Sequence, residues 1–171
     1  MPRPPNEADF SEFVHASWPS LYRTAYLMLG EHALAEDLVQ TSLAKTYASW
    51  RHIRELAAAP AYARKVMFNT AASWFRQRGW RNELPTLSLP ERGYDVEHAD
   101  RPTIIGTLRQ LPPRQRAVVV LRYYEDLSVA DAAAALGCTE GTVKSQTADA
   151  LAKLRTLLGD AVAPIIEGHP S

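Results

Sequence analysis

The sequence predicts an all-α protein of two small helical domains joined by a flexible acidic linker, the C-terminal one a helix-turn-helix. Three observations carry that expectation. Apolar residues recur at helical spacing through residues 8–82 and again through 103–158, with no convincing strand-type alternation anywhere. The intervening residues 83–102 hold Pro85, Pro90, Gly93 and Pro102 among five acids and little apolar periodicity, which is a linker composition. A hydrophobic content of 46% in 171 residues is enough to build two small cores.

The elements follow in order. Asp9 and Glu12 have the spacing of a capping box, and Phe10, Phe13, Val14, Leu21, Tyr22, Ala25 and Leu29 give the apolar stripe behind it. Pro19 falls inside this pattern, so a break near Trp18 is expected, with Gly30 as the stop. A second helix is expected from His32 to Trp50, with Leu34, Leu38, Leu43, Tyr47 and Trp50 inward. A third runs from about Pro60 to Arg78, packing through Tyr62, Val66, Met67, Thr70, Ala71 and Trp74, while Phe75 and Trp80 stay open between core and surface. After the linker, short helices are expected over Thr103–Gln110 and Pro113–Tyr124.

The last pair is the most specific. Ser128 and Asp131 form a helix-start signal, Val129, Ala132, Ala133 and Leu136 form an apolar stripe, and Gly137 supplies a left-handed stop. A second helix follows the turn Cys138–Gly141, with Val143, Ala150, Leu151, Leu154 and Leu158 on one side. Thr142, Lys144, Ser145, Gln146, Asp149 and Lys153 lie on the other. Two helices about a short glycine-containing turn, the second with a polar early face, is the arrangement that reads DNA in the major groove. An ordinary helical hairpin shares that outline, and these residues alone leave both readings open.

Charge and composition narrow the class. The net charge is zero, yet residues 51–82 carry seven basic groups and one acid, whereas residues 1–50 carry three basic groups and six acids. A localised basic patch is the electrostatic footprint of nucleic-acid binding. One cysteine, Cys138, excludes an internal disulfide framework and is most simply a small buried residue. The five histidines are dispersed without metal-ligand spacing, and no phosphate-binding glycine loop occurs, so neither catalysis nor a cofactor is expected. No apolar run reaches membrane-spanning length, and the start MPRPPNEADF lacks the apolar core of a signal peptide, so membrane insertion is not expected and cytoplasmic residence is. The tail 159–171 is expected to pack loosely.

The segments AEDLVQTSLAKTYASW, PAYARKVMFNTAASWFRQRGWRNE and LPPRQRAVVVLRYYEDLSVADAAAALGCTEGTVKS together resemble the extracytoplasmic-function (ECF) sigma factors of bacterial RNA polymerase. The likeness spans roughly residues 8–158. The run Ala71–Trp74, Gln146 and the tryptophan-rich basic end resemble the actinobacterial branch. The resemblance implies a region 2-like domain over 8–82, a linker over 83–102 and a region 4-like domain over 103–158. Asp37, Gln40, Thr41 and Lys45 would then dock on the clamp helices of the polymerase largest subunit, although spacing alone more often means a solvated helix face. The C-terminal domain would meet the flap of the second-largest subunit.

Promoter DNA is the second implied partner. Arg64, Lys65, Arg76, Arg78 and Arg81, with Arg51 and Arg54, would contact phosphates near the −10 element. Asn69 matches the family position that lines the pocket of a flipped base, and its amide suits a Watson–Crick edge. The loop His52–Ala59 matches the base-specificity loop by position. At the −35 element the resemblance implies roles for Thr142, Lys144, Ser145, Gln146, Asp149 and Arg114, with Arg116 as a further phosphate contact. Gln146 suits adenine and Asp149 suits cytosine. Here the chain departs from the family, which commonly has an aromatic or His between arginines after Lys-Ser; Lys153 is the cation placed to offset Asp149. An anti-sigma factor is a further partner the resemblance admits. The competing expectation is a stand-alone helix-turn-helix regulator with a helical dimerisation domain, which would bind palindromic DNA tightly without polymerase.

Overall fold

The computed structural model describes residues 5–77 and 104–159. Helices α1 (Glu7–Leu29), α2 (His32–Ala48) and α3 (Ala59–Gln77) form the first half. Helices α4 (Ile104–Arg109), α5 (Pro113–Val119), α6 (Val129–Leu136) and α7 (Glu140–Leu158) form the second. No strand occurs among the described residues, and none of their helices is long and apolar enough to cross a membrane. The expected linker, Arg78, Trp80, Arg81 and the tail beyond Gly159 lie outside the described residues.

Helix α1 starts one turn earlier than the sequence pattern indicates. Asn6 is the N-cap: its side chain accepts from the Asp9 amide at 2.9 Å, and the Asp9 carboxylate accepts from the Asn6 amide at 2.9 Å. The Asp9–Glu12 spacing is therefore internal to the helix. Pro19 does not break it; α1 runs continuously through to Leu29. Pro19 is exposed, so the His15 carbonyl that loses its amide partner faces the solvent side, while buried Leu21, Ala25 and Met28 hold the following turns on the core. Gly30 ends the helix at φ 76°.

Helix α2 stops at Ala48, and Trp50–His52 forms a separate 3₁₀ turn. Trp50 is buried, as expected, but Tyr47 is 46% exposed and its hydroxyl donates to Glu7 at 3.1 Å. The inward stripe instead runs through Ala35, Leu38, Val39, Ser42, Leu43 and Thr46. Ser42 and Thr46 enter it because each hydroxyl donates to the carbonyl four residues earlier, which removes the cost of burying an unpaired donor. Trp50, Ile53 and Ala59 form a satellite core with Phe10 and Phe13, closed by Trp50 Nε1 donating to the Asn6 carbonyl at 3.0 Å.

Helix α5 passes into a π turn over Val120–Tyr124, in which the Glu125 amide bonds back to the Val120 carbonyl at 3.0 Å. Asp126 follows at φ 57°, and this wide turn aims Glu125 back at the first half. The helix-turn-helix forms as its caps dictate. Ser128 accepts from the Asp131 amide at 3.0 Å, Gly137 is left-handed at φ 62°, and Thr139 accepts from the Thr142 amide at 3.1 Å to start α7.

The two halves are not merely tethered. One continuous core runs from Leu21, Met28 and Met67 through Phe75 to Val118, Leu121, Ala132 and Val143. Helix α1 packs on α5, and α3 packs on α6. Phe75, which the sequence left open, is 3% exposed and belongs to this core.

Candidate nucleic-acid interface

The polar face of α2 carries exposed Asp37 and Gln40, three residues apart on one side of the helix. Thr41 is half-buried beside them. Lys45 is exposed along its stem, but its ammonium donates to Thr70 Oγ1 on α3 at 3.2 Å, so α2 and α3 share it.

On α3, Lys65, Asn69 and Arg76 are exposed at spacings of four and seven, and so form one stripe. Arg64, the neighbour of Lys65, turns the other way. Its Nε pairs with Glu125 Oε2 at 3.2 Å, and its Nη2 donates to Ser20. Only 33% of the Arg64 side chain is exposed. It is therefore engaged inside the protein instead of standing free toward phosphates, because Glu125 reaches it across the contact between the halves.

The loop between α2 and α3 frames an open hollow of about 510 Å³ lined by Ser49, His52, Ile53, Arg54, Glu55, Ala58 and Tyr62. This is where the base-specificity loop was expected. Tyr62, assigned to core packing from sequence, is half-buried and forms part of the hollow's wall. Asn69 does not line it. The aromatic wall, the imidazole and the guanidinium are groups that stack on or bond to an unpaired base; in the sequence only the family-like position of the loop His52–Ala59 pointed to them.

On α7, Lys144, Ser145, Asp149 and Lys153 are exposed. Among the described residues Asp149 and Lys153 make no ion pair with each other. Thr142 and Gln146 are half-buried, and with Arg114 they border a cavity of about 100 Å³ between the halves, facing Phe75 and Arg76 of α3. Cys138 borders the same cavity; burial raises its thiol pKa, partly countered by Arg114. Arg116 does not reach the surface. It is 7% exposed beside Gly30 and Arg109, and burial, reinforced by Arg109 and opposed by Glu31, lowers its pKa to about 10. The expectation of a phosphate contact there is corrected: helix periodicity points Arg116 into the core between Ala117 and the end of α1.

A three-helix unit with a basic stripe and a separate polar face, followed by a helix-turn-helix, is the plan of a bacterial promoter-specificity subunit. Residues 13–81 match the family described as Sigma-70 region 2, and residues 103–154 match Sigma-70, region 4. The chain belongs to the ECF sigma factors of RNA polymerase. It is 44% identical to an RNA polymerase sigma-E factor of Streptomyces coelicolor over 86% of this chain and 84% of that one. It is 34% identical to the ECF RNA polymerase sigma factor SigL of Mycobacterium tuberculosis over 81% of this chain and 82% of that one. Among solved structures it is similar to the sigma factor RpoE of Bartonella quintana, determined in complex with the anti-sigma factor NepR. That match has a TM-score of 0.60 and 27% identity, over 87% of this chain and 96% of the other. Sigma factors are non-enzymatic initiation factors, and the Streptomyces and Mycobacterium relatives both come from actinobacteria.

Proposed function

We propose that this sigma factor directs core polymerase to a two-part promoter and opens the duplex by binding, without covalent catalysis. The first half, residues 8–82, docks through Asp37, Gln40, Thr41 and Lys45 on the clamp helices of the largest subunit. It holds the −10 strand along Lys65, Asn69 and Arg76, with Arg78 and Arg81 as further phosphate contacts and Arg64 joining them once released from Glu125. Residues 83–102 link it to residues 103–158, which meet the flap of the second-largest subunit and place α7 at the −35 element. There Lys144, Ser145 and Arg114 hold phosphates, while Thr142, Gln146 and Asp149 face base edges. The chain acts in the cytoplasm, without a cofactor. The partner of the Bartonella relative supports an anti-sigma factor as a regulator of this chain as well.

The observation that carries this reading is the presence of two separate exposed surfaces on two helical units, the α3 stripe and the Lys144, Ser145 and Asp149 side of α7. One DNA surface would serve a stand-alone regulator; two serve a spaced promoter. The test is to incubate the purified chain with core polymerase and transcribe a promoter-fragment library. Transcripts from a recurring pair of spaced elements are expected. Tight duplex binding without polymerase, and no transcription with it, would overturn the reading.

A further inference from the structure

We infer that Trp50 is a positioning residue for base selection: it ties the hollow between α2 and α3 to the N-terminal end of α1 and so fixes the shape offered to an unpaired base. The inference rests on the proposed promoter role, with the hollow as the place where a base of the opened −10 strand is chosen. The side chains facing the hollow have little to hold them. His52, Arg54 and Glu55 are exposed, and none of the three makes a side-chain hydrogen bond or ion pair with another described residue. Their backbone is built of two 3₁₀ turns, Trp50–His52 and Leu56–Ala58, in which the Ile53 amide bonds to the Trp50 carbonyl at 3.1 Å and the Ala58 amide to the Glu55 carbonyl at 3.0 Å. Such short turns have poor hydrogen-bond geometry, so the loop takes its shape from what it packs on.

That support is the satellite core. Ile53 belongs both to this core, with Trp50 and Ala59, and to the lining of the hollow, and Tyr62 likewise packs on the core while forming a wall. Trp50 sits among the aromatic rings of α1, its ring edge-on to Phe10 at 5.0 Å and 5.3 Å from Phe13. Its Nε1–H crosses 44 positions to donate to the Asn6 carbonyl at 3.0 Å. Asn6 is itself fixed by its reciprocal bonds with Asp9. The indole is 2% exposed, so rotating it would strand a buried donor, and one orientation is selected. Two walls of the hollow are therefore referenced to α1, none of whose described residues lines it. Selectivity is sensitive to such support. Hydrogen bonds to a base edge are directional and need walls held to about 0.5 Å, whereas stacking accepts every base. Loosening Trp50 thus lowers discrimination between bases more than it lowers strand opening as a whole.

The test assembles the full chain with core polymerase and transcribes a promoter library randomised across the −10 element, so that transcript sequences give the base preference position by position. Wild type is compared with Trp50→Phe, Phe13→Leu, the wall variant Arg54→Ala and Leu21→Val, a control in the main core where Leu21 is 1% exposed. Trp50→Phe keeps an aromatic ring and removes the donor. Circular dichroism confirms helix content, and Phe13→Leu carries the same comparison if Trp50→Phe unfolds. A merely structural role lowers transcription from all sequences alike and leaves the preference profile unchanged, as Leu21→Val is expected to do. The positioning role predicts a preference reduced on the order of 10-fold at one −10 position in Trp50→Phe, the position that Arg54→Ala also affects. Phe13→Leu should give a smaller reduction there, with wild-type preference elsewhere. A profile altered by Arg54→Ala but not by Trp50→Phe overturns the positioning role and leaves the hollow as the base site. A profile altered by neither removes the hollow from base selection, and the positioning role with it. Relaxation at every position at once in Trp50→Phe also overturns it. A wild type that transcribes none of the library overturns the promoter role itself, together with the inference that rests on it.

Discussion

At the scale of single residues, the contact between Gly30 and Arg116 shows how one position serves two elements. Gly30 ends α1 in the left-handed region, and a Cβ there would collide with the Arg116 guanidinium. Gly30→Ala therefore combines a strained φ with a steric conflict, and a loss of about 1–3 kcal/mol is expected from urea unfolding. Arg116 presents the opposite case. Its burial lowers its pKa from the ordinary guanidinium range to about 10, so keeping it charged in the folded state costs on the order of 3 kcal/mol at neutral pH. Arg116→Met is expected to leave stability unchanged or raise it. The sign with pH follows from proton binding. Above about pH 10 the unfolded chain still holds the Arg116 proton while the folded chain releases it, so this residue's destabilising effect fades as pH rises. The stability gap between Arg116→Met and wild type should accordingly narrow above pH 10; a gap that widens would contradict burial as the dominant cause.

At the scale of elements, α7 divides its work between position and sequence. Lys144 is exposed at the start of the helix, suited to a phosphate, whereas Gln146 carries an amide that pairs with a base edge. In promoter binding by the assembled polymerase, Lys144→Ala should weaken all sequences alike and reduce the salt slope by about 1. Gln146→Ala should instead cost about 1–3 kcal/mol at one base pair and relax preference there. Interchanged outcomes would mean that α7 enters the groove rotated from this assignment. The helix was legible because its signals are local: Ser128, Gly137 and Thr139 cap neighbouring residues through bonds that span three or four positions. Where sequence reading erred, one competing interaction was local and the other joined two helices 40 positions apart. Asn6 and Asp9 outcompete Asp9 and Glu12 as a cap, and the bond from Tyr47 to Glu7 draws an aromatic outward that periodicity placed inside.

At the scale of the whole molecule, the shared core predicts shared stability. All four tryptophans, Trp18, Trp50, Trp74 and Trp80, precede residue 82, so their fluorescence reports on the first half alone. Far-UV circular dichroism reports on helices in both halves. With Phe75 packed into one core that continues to Val118 and Leu121, the two signals should trace a single coincident urea transition. Tryptophan fluorescence that departs from the dichroism curve would mean that the halves unfold independently and that the seam contributes little.

The sequence by itself determined the helical class, the two units with their order, the caps of the helix-turn-helix and the family. Each of these is written in short spacings or in runs that stand together along the chain. Only the tertiary structure decided which of the cations are free. Arg64 and Arg116 look like any other arginines in a basic protein, yet one is paired with Glu125 and the other is buried against Gly30. Thr24 and Glu125 lie 101 positions apart, and no periodicity links residues at that distance. Their meeting depends on how α1 and α3 pack against α5 and α6. That packing is set by the shapes of apolar surfaces summed over both halves, which a pattern within any one segment does not contain.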